Sequence, residues 1–105
     1  MKVAISSTGS SPDAKLDNHF GRCSYFVIYD TETASTEYIP NMNKENIEGC
    51  GPASVQFVAS RGVKKIVSGE FGAKVKAVSD SFQIQLIVLK DQEKTIDEII
   101  RMLNH

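Results

Sequence analysis

From Pro52 onward the sequence alternates helix and strand signals, and this alternation constrains the fold more than any other feature. Pro52 suits the first turn of a helix, where its missing N–H costs nothing. That helix carries Val55, Val58 and Ala59 on one face and stops at Gly62, a residue suited to the position just past a helix end. Val63 to Ser68 (VKKIVS) is a strand, closed by Gly69-Glu70-Phe71-Gly72. Ala73 to Asp80 reads as a second helix with Val75 and Val78 inward. Ile84 to Leu89 (IQLIVL) is nearly all apolar, the pattern of a strand covered on both faces. The last element is an amphipathic helix. Thr95-x-x-Glu98 matches a capping box, and Ile96, Ile99, Ile100 and Leu103 form its apolar stripe. Strands separated by helices in this way run parallel, joined by right-handed crossovers.

The first half differs. Lys2 to Ser6 (KVAIS) is a short strand ending in the loop Ser7-Thr8-Gly9-Ser10-Ser11-Pro12. Cys23 to Asp30 and Ser35 to Ile39 are β-rich runs around Thr31 to Ala34, an antiparallel hairpin that Pro40 ends. Asn41 to Gly51 is polar and Gly-bearing, a loop. The order β-β-β-α-β-α-β-α predicts an α/β fold, a mixed five-stranded sheet of order 3-2-1-4-5. Strand 2 lies antiparallel to strand 1, and helices cover both faces. At 105 residues the chain has room for one domain, residues 1–105.

Composition removes several functions. Twelve Lys and Arg face thirteen Asp and Glu, a formal charge of −1, so nothing draws the chain towards nucleic acid or acidic lipid. The longest apolar run, Leu86 to Leu89, is far short of a membrane span. Met1 to Ser6 turns polar too soon for a secretion signal, which predicts a cytoplasmic protein. Two cysteines, Cys23 and Cys50, make no disulfide scaffold, and no Cys-x-x-Cys is present.

Ligands of open α/β sheets collect beyond the carboxyl ends of the parallel strands, where the winding reverses. Three loops should meet there: Ser7 to Gly21, Glu48 to Pro52, and Gly69 to Gly72. The first leads into Asp17-Asn18-His19-Phe20-Gly21-Arg22-Cys23. Imidazole and thiolate suit soft or borderline metals, and Arg22 favours an anion. A plain loop whose Phe20 plugs the core reads equally from these residues. The second holds Gly49-Cys50-Gly51-Pro52 at a helix start, where the N–H groups and dipole attract anions and the glycines admit a bulky ligand. The alternative is a loop-to-helix turn with an inert thiol. The third, Ser68 to Gly72, lacks the G-x-x-x-x-G-K-[ST] pattern of a P-loop and reads as a tight turn or an anion cradle.

Taken together, Asp17-x-His19-Phe20-Gly21-Arg22-Cys23-x-Tyr25-Phe26, the Gly-Cys-Gly-Pro helix start and Ser68-Gly69-x-Phe71-Gly72 resemble the dinitrogenase iron-molybdenum cofactor family. The likeness runs from Lys2 to about Leu103. It implies a three-layer ribonuclease H-like fold that binds an iron–sulfur or molybdenum-containing cluster, or its precursor, without catalysis. On the matching positions it implies His19 as a cluster ligand. Cys50 stands where nitrogenase-linked members often carry His-Gly, Lys74-Val75 follows the second Gly, and Ser79 to Phe82 lacks the usual Ala-Gly. The chain therefore resembles a stand-alone member of the family.

The leading expectation is a non-catalytic carrier. His19 and Cys50 are the expected metal ligands, with Cys23 a candidate third. Phe20, Gly21, Arg22, Gly49, Gly51, Gly69 and Gly72 complete the cofactor site. Too few cysteines exist for a Cys₄ site, so the cluster would be weakly held and transferable, or shared in a dimer. A donor or acceptor protein for the cluster is the expected partner, and the chain itself a monomer or weak homodimer. A regulatory module binding a phosphorylated metabolite or nucleotide is the alternative. A Cys–His hydrolase built on Cys50 and His19 ranks lower, for want of an orienting third group. Two-metal nuclease chemistry needs carboxylates on the first strand, and Lys2 to Ser6 has none.

Overall fold

Eight elements appear in a computed structural model that describes residues 1–46 and 48–104. They are β1 (Lys2–Ser7), β2 (Tyr25–Asp30), β3 (Thr36–Pro40), α1 (Cys50–Ser60), β4 (Val63–Ser68), α2 (Val75–Ser81), β5 (Gln85–Val88) and α3 (Ile96–Leu103). The sheet order is β3-β2-β1-β4-β5. β2 is antiparallel to β1 and β3, while β4 runs parallel to both β1 and β5. The expected topology is therefore the observed one.

β1 sits at the centre because every residue after Lys2 is buried and alternates between two apolar layers. Ala4 joins Phe26, Ile28 and Ile66 beneath Val55 and Val58 of α1 and Val75 of α2. Val3 and Ile5 join Val27 and Val67 against Ile96 and Ile99 of α3. The result is three layers, two helices over the sheet and one under it. Thr95 and Glu98 cap α3 reciprocally, and the Tyr29 hydroxyl donates to Asn104 Oδ1 at 2.9 Å, tying the helix end to β2.

Several boundaries differ from expectation; β2, for one, begins at Tyr25 rather than Cys23, and β3 includes Pro40. α1 begins at Cys50 rather than Pro52, which moves the cysteine from the preceding loop into the first turn. α2 begins at Val75 rather than Ala73, since the Val75 N–H closes a turn onto the Gly72 carbonyl at 3.1 Å. β5 runs from Gln85 to Val88 rather than from Ile84 to Leu89, at the sheet edge where the expected order puts it. Leu86 and Ile87 pack half-buried on opposite layers, but Val88 remains 52% exposed. Among the described residues no helix is long and apolar enough to cross a membrane.

Centre and edge should differ in stability. Ile5→Ala should cost about 2–5 kcal/mol in urea unfolding. Val88→Ala should cost less than about 1 kcal/mol. Equal losses would contradict the placement of β1 and β5.

Candidate functional site

The segment after β1 crosses the carboxyl edge of the sheet and is anchored on both of its faces. Leu16 is buried in the layer under α3, and Phe20 in the layer under α1 and α2. Phe20 meets Phe26 and Phe71 with ring centroids 5.5 and 5.6 Å apart. Between these anchors the backbone is held by the strand ends. The Ser6 hydroxyl donates to the Asp17 carbonyl at 2.7 Å, and the Ser6 and Ser68 hydroxyls lie 2.8 Å apart, both serines fully buried. The Glu70 N–H donates to the Asn18 carbonyl at 2.8 Å, and just past the end of β4 an isolated parallel bridge pairs His19 with Glu70.

A cleft of about 390 Å³ opens at this edge. His19, Phe20, Gly21 and Arg22 form one wall, Cys50 and Gly51 the second, and Glu70 and Gly72 the third. The three expected loops thus converge. Its walls meet backbone to backbone. A Cβ on Gly21 would come within 2.8 Å of the Gly51 nitrogen and 2.9 Å of its Cα, and a Cβ on Gly51 within 2.8 Å of Val75 Cγ2. Only glycine permits such approach.

Within the cleft, His19 Nδ1 lies 2.8 Å from Glu70 Oε1. The Arg22 guanidinium donates to the Lys44 carbonyl at 2.9 Å, which steadies a cation at the rim. Gly49 adopts a left-handed conformation (φ 72°) at the start of α1, and no side chain caps that terminus. The helix start therefore keeps its attraction for an anion.

Not every expected ligand arrives. Cys23, expected as a third ligand, is instead fully buried in the layer with Phe20 and Phe26 and does not line the cleft. The cause is Asn41, whose side-chain amide donates to the carbonyls of Gly21 and Cys23, each at 3.0 Å, and holds this turn inward. Burial, with the Asp17 charge adding to it, pushes the Cys23 thiol up to about 12. Gly49 and Gly69 lie outside the cleft lining as well. Gly49 supplies the turn into α1, and Gly69 leaves room for Asn18, whose Cα would stand 2.8 Å from a Cβ there. Among the described residues no three His, Cys, Asp or Glu side chains gather closely enough to hold a metal ion. Glu70 is the residue that reading the sequence missed. It sat unremarked in the Ser68 to Gly72 turn, and its partner is 51 positions away in the chain.

The family model for dinitrogenase iron-molybdenum cofactor matches residues 1–105. The chain belongs to this family. An uncharacterized protein of Methanocaldococcus jannaschii is 30% identical over 105 residues, which span 97% of this chain and 84% of that protein. The apo form of the orange protein from Desulfovibrio gigas shares the fold, with a TM-score of 0.90 at 23% identity, covering 97% of this chain and 85% of that one. A candidate NifB protein from Thermotoga superposes with a TM-score of 0.82 at 27% identity, covering 97% and 85% respectively. The family resemblance drawn from the His-Phe-Gly-Arg-Cys segment is thereby confirmed.

Two measurements check this site. Gly21→Ala should lose about 1–3 kcal/mol of stability, because the added Cβ meets backbone that cannot yield cheaply. Gly72→Ala, whose Cβ would meet nothing within 4 Å, should change stability by less than about 0.5 kcal/mol.

Cys23 carries a pH signature. The unfolded thiol ionises near 9.0, whereas the folded chain holds its proton to about 12. The unfolded state binds fewer protons across that window, so this contribution to stability falls as pH rises through it. Urea unfolding of wild type should lose stability relative to Cys23→Ala between those pH values. A constant difference would refute the assignment.

Proposed function

We propose that the chain is a non-catalytic carrier that takes an anionic metal–sulfur cluster, iron–sulfur or molybdenum-containing, or a precursor of one, as cargo in this cleft. The observation that carries the reading is the convergence of His19, Cys50 and Arg22 on one open cavity of about 390 Å³. Thiolate and imidazole are donors for soft and borderline metals, and a guanidinium matches an anionic cargo. The uncapped start of α1 adds N–H groups of the kind that tune cluster sulfides. Family membership and the family's name support the same chemistry.

The donor set suits cargo in passage rather than a resident cluster. The chain has two cysteines, and Cys23 is sealed in the core. One thiolate and one imidazole hold a cluster loosely enough to surrender it, which implies a donor or acceptor protein as the partner. No acid–base relay is needed for that task. A dimer pairing two clefts would double the donors.

Anaerobic titration with tetrathiomolybdate, and separately with a synthetic iron–sulfur thiolate complex, tests the proposal. Charge-transfer absorption should develop with wild type. Both His19→Ala and Cys50→Ser should weaken binding at least about tenfold. Their unfolding midpoints should stay put, since neither side chain belongs to an apolar layer. Equal binding by wild type and the double variant would overturn the reading. Protection by inorganic phosphate, with no response to either cluster species, would transfer the cleft to a phosphorylated metabolite.

A further inference from the structure

We propose that Glu70 is the positioning residue for His19, fixing its tautomer so that Nε2 is the atom presented to the cleft. The consequence for cargo rests on the carrier reading above; the tautomer itself does not. His19 Nδ1 stands 2.8 Å from Glu70 Oε1. An ionised carboxylate has no proton to give, so the hydrogen between them belongs to Nδ1. A neutral imidazole that carries its hydrogen on Nδ1 has its free lone pair on Nε2. Carboxylate support of this kind both aims a ligating imidazole and raises its basicity.

The backbone, rather than the side chains, sets this contact. His19 and Glu70 are partners in the parallel bridge beyond β1 and β4, and the Glu70 N–H donates to the Asn18 carbonyl at 2.8 Å. The His19 N–H donates to Asp17 Oδ1 at 2.9 Å, closing the turn before it. Gly69 lets Asn18 approach closely enough for the bridge to form. Both chains of the pair are therefore delivered to one spot before any ligand arrives.

Stability does not account for the pair. His19 is 62% exposed and Glu70 51%, and ion pairs in such surroundings add little to a fold. Glu70 also brings a negative charge to a cleft suited to anions. Arg22 brings a positive charge to the same cleft, and the hydrogen bond to Nδ1 directs the carboxylate away from the role of ligand.

The test begins without cargo. Long-range ¹H–¹⁵N NMR of the metal-free protein, at a pH where the imidazole is neutral, reads the His19 tautomer directly. Wild type should carry its hydrogen on Nδ1, and Glu70→Ala should move the population several-fold towards Nε2–H. A His19 tautomer that is Nε2–H in wild type, or unchanged in Glu70→Ala, overturns the proposal. Tetrathiomolybdate titration then reads the consequence. Glu70→Ala should bind about 10–100-fold more weakly than wild type. Adding Glu70→Ala to His19→Ala should cost nothing further, because the glutamate acts through the imidazole. Full additivity would overturn that role. Should wild type itself fail to bind while the tautomer shifts as expected, the carrier reading falls and the positioning role stands.

Discussion

The site depends on a short segment pinned to both faces of the sheet. Leu16 is held under α3 and Phe20 under α1 and α2, with Asp17, Asn18 and His19 between them. Three residues are barely enough to pass from one apolar layer to the other around a strand end, so the crossing has little slack. The buried Ser6 and Ser68 hydroxyls remove what remains by holding the Asp17 carbonyl. His19 is thus placed by the burial of Leu16, three residues before it, and of Phe20, the next residue. Its own side chain takes no part in that burial and stays in the cleft, with Nδ1 against Glu70.

Much of the architecture was legible because it follows from local periodicity. The apolar run Val3-Ala4-Ile5 before a Ser- and Gly-bearing loop and the Thr95-x-x-Glu98 box each announce an element within a few positions. The order of the strands then follows from handedness and short connections. β5 takes the edge position that this order gives it, and what its apolar run did not show is how shallow the cover there is. Leu86 and Ile87 meet opposite layers, while Gln85 and Val88 at the ends of the strand stay exposed.

The site was legible in outline, and its errors share one origin. His19, Arg22 and Cys50 were singled out because their chemistry is unusual for loops next to glycine, and all three line one cleft. Cys23 has the same chemistry but opposite orientation, which is decided by Asn41 from the far side of the hairpin. Glu70 was overlooked for the converse reason. Its residue type is commonplace, and only the pairing of two distant strand ends gives it a partner. Orientation and pairing are tertiary properties, and neither is written in the spacing of nearby residues.

The glycine contacts at the rim have a consequence for how such a molecule can change. Gly21 rests on the backbone of Gly51, and Gly51 rests on Val75, so the frame of the cleft is set by main chain and core. His19, Arg22 and Cys50 hang from that frame without supporting it. Exchanging a donor therefore alters what the cleft prefers while leaving its shape alone. Affinity and foldability become separable traits, one free to drift while the other is held. A scaffold of this kind can have its donor set changed by single substitutions, without first finding a new fold.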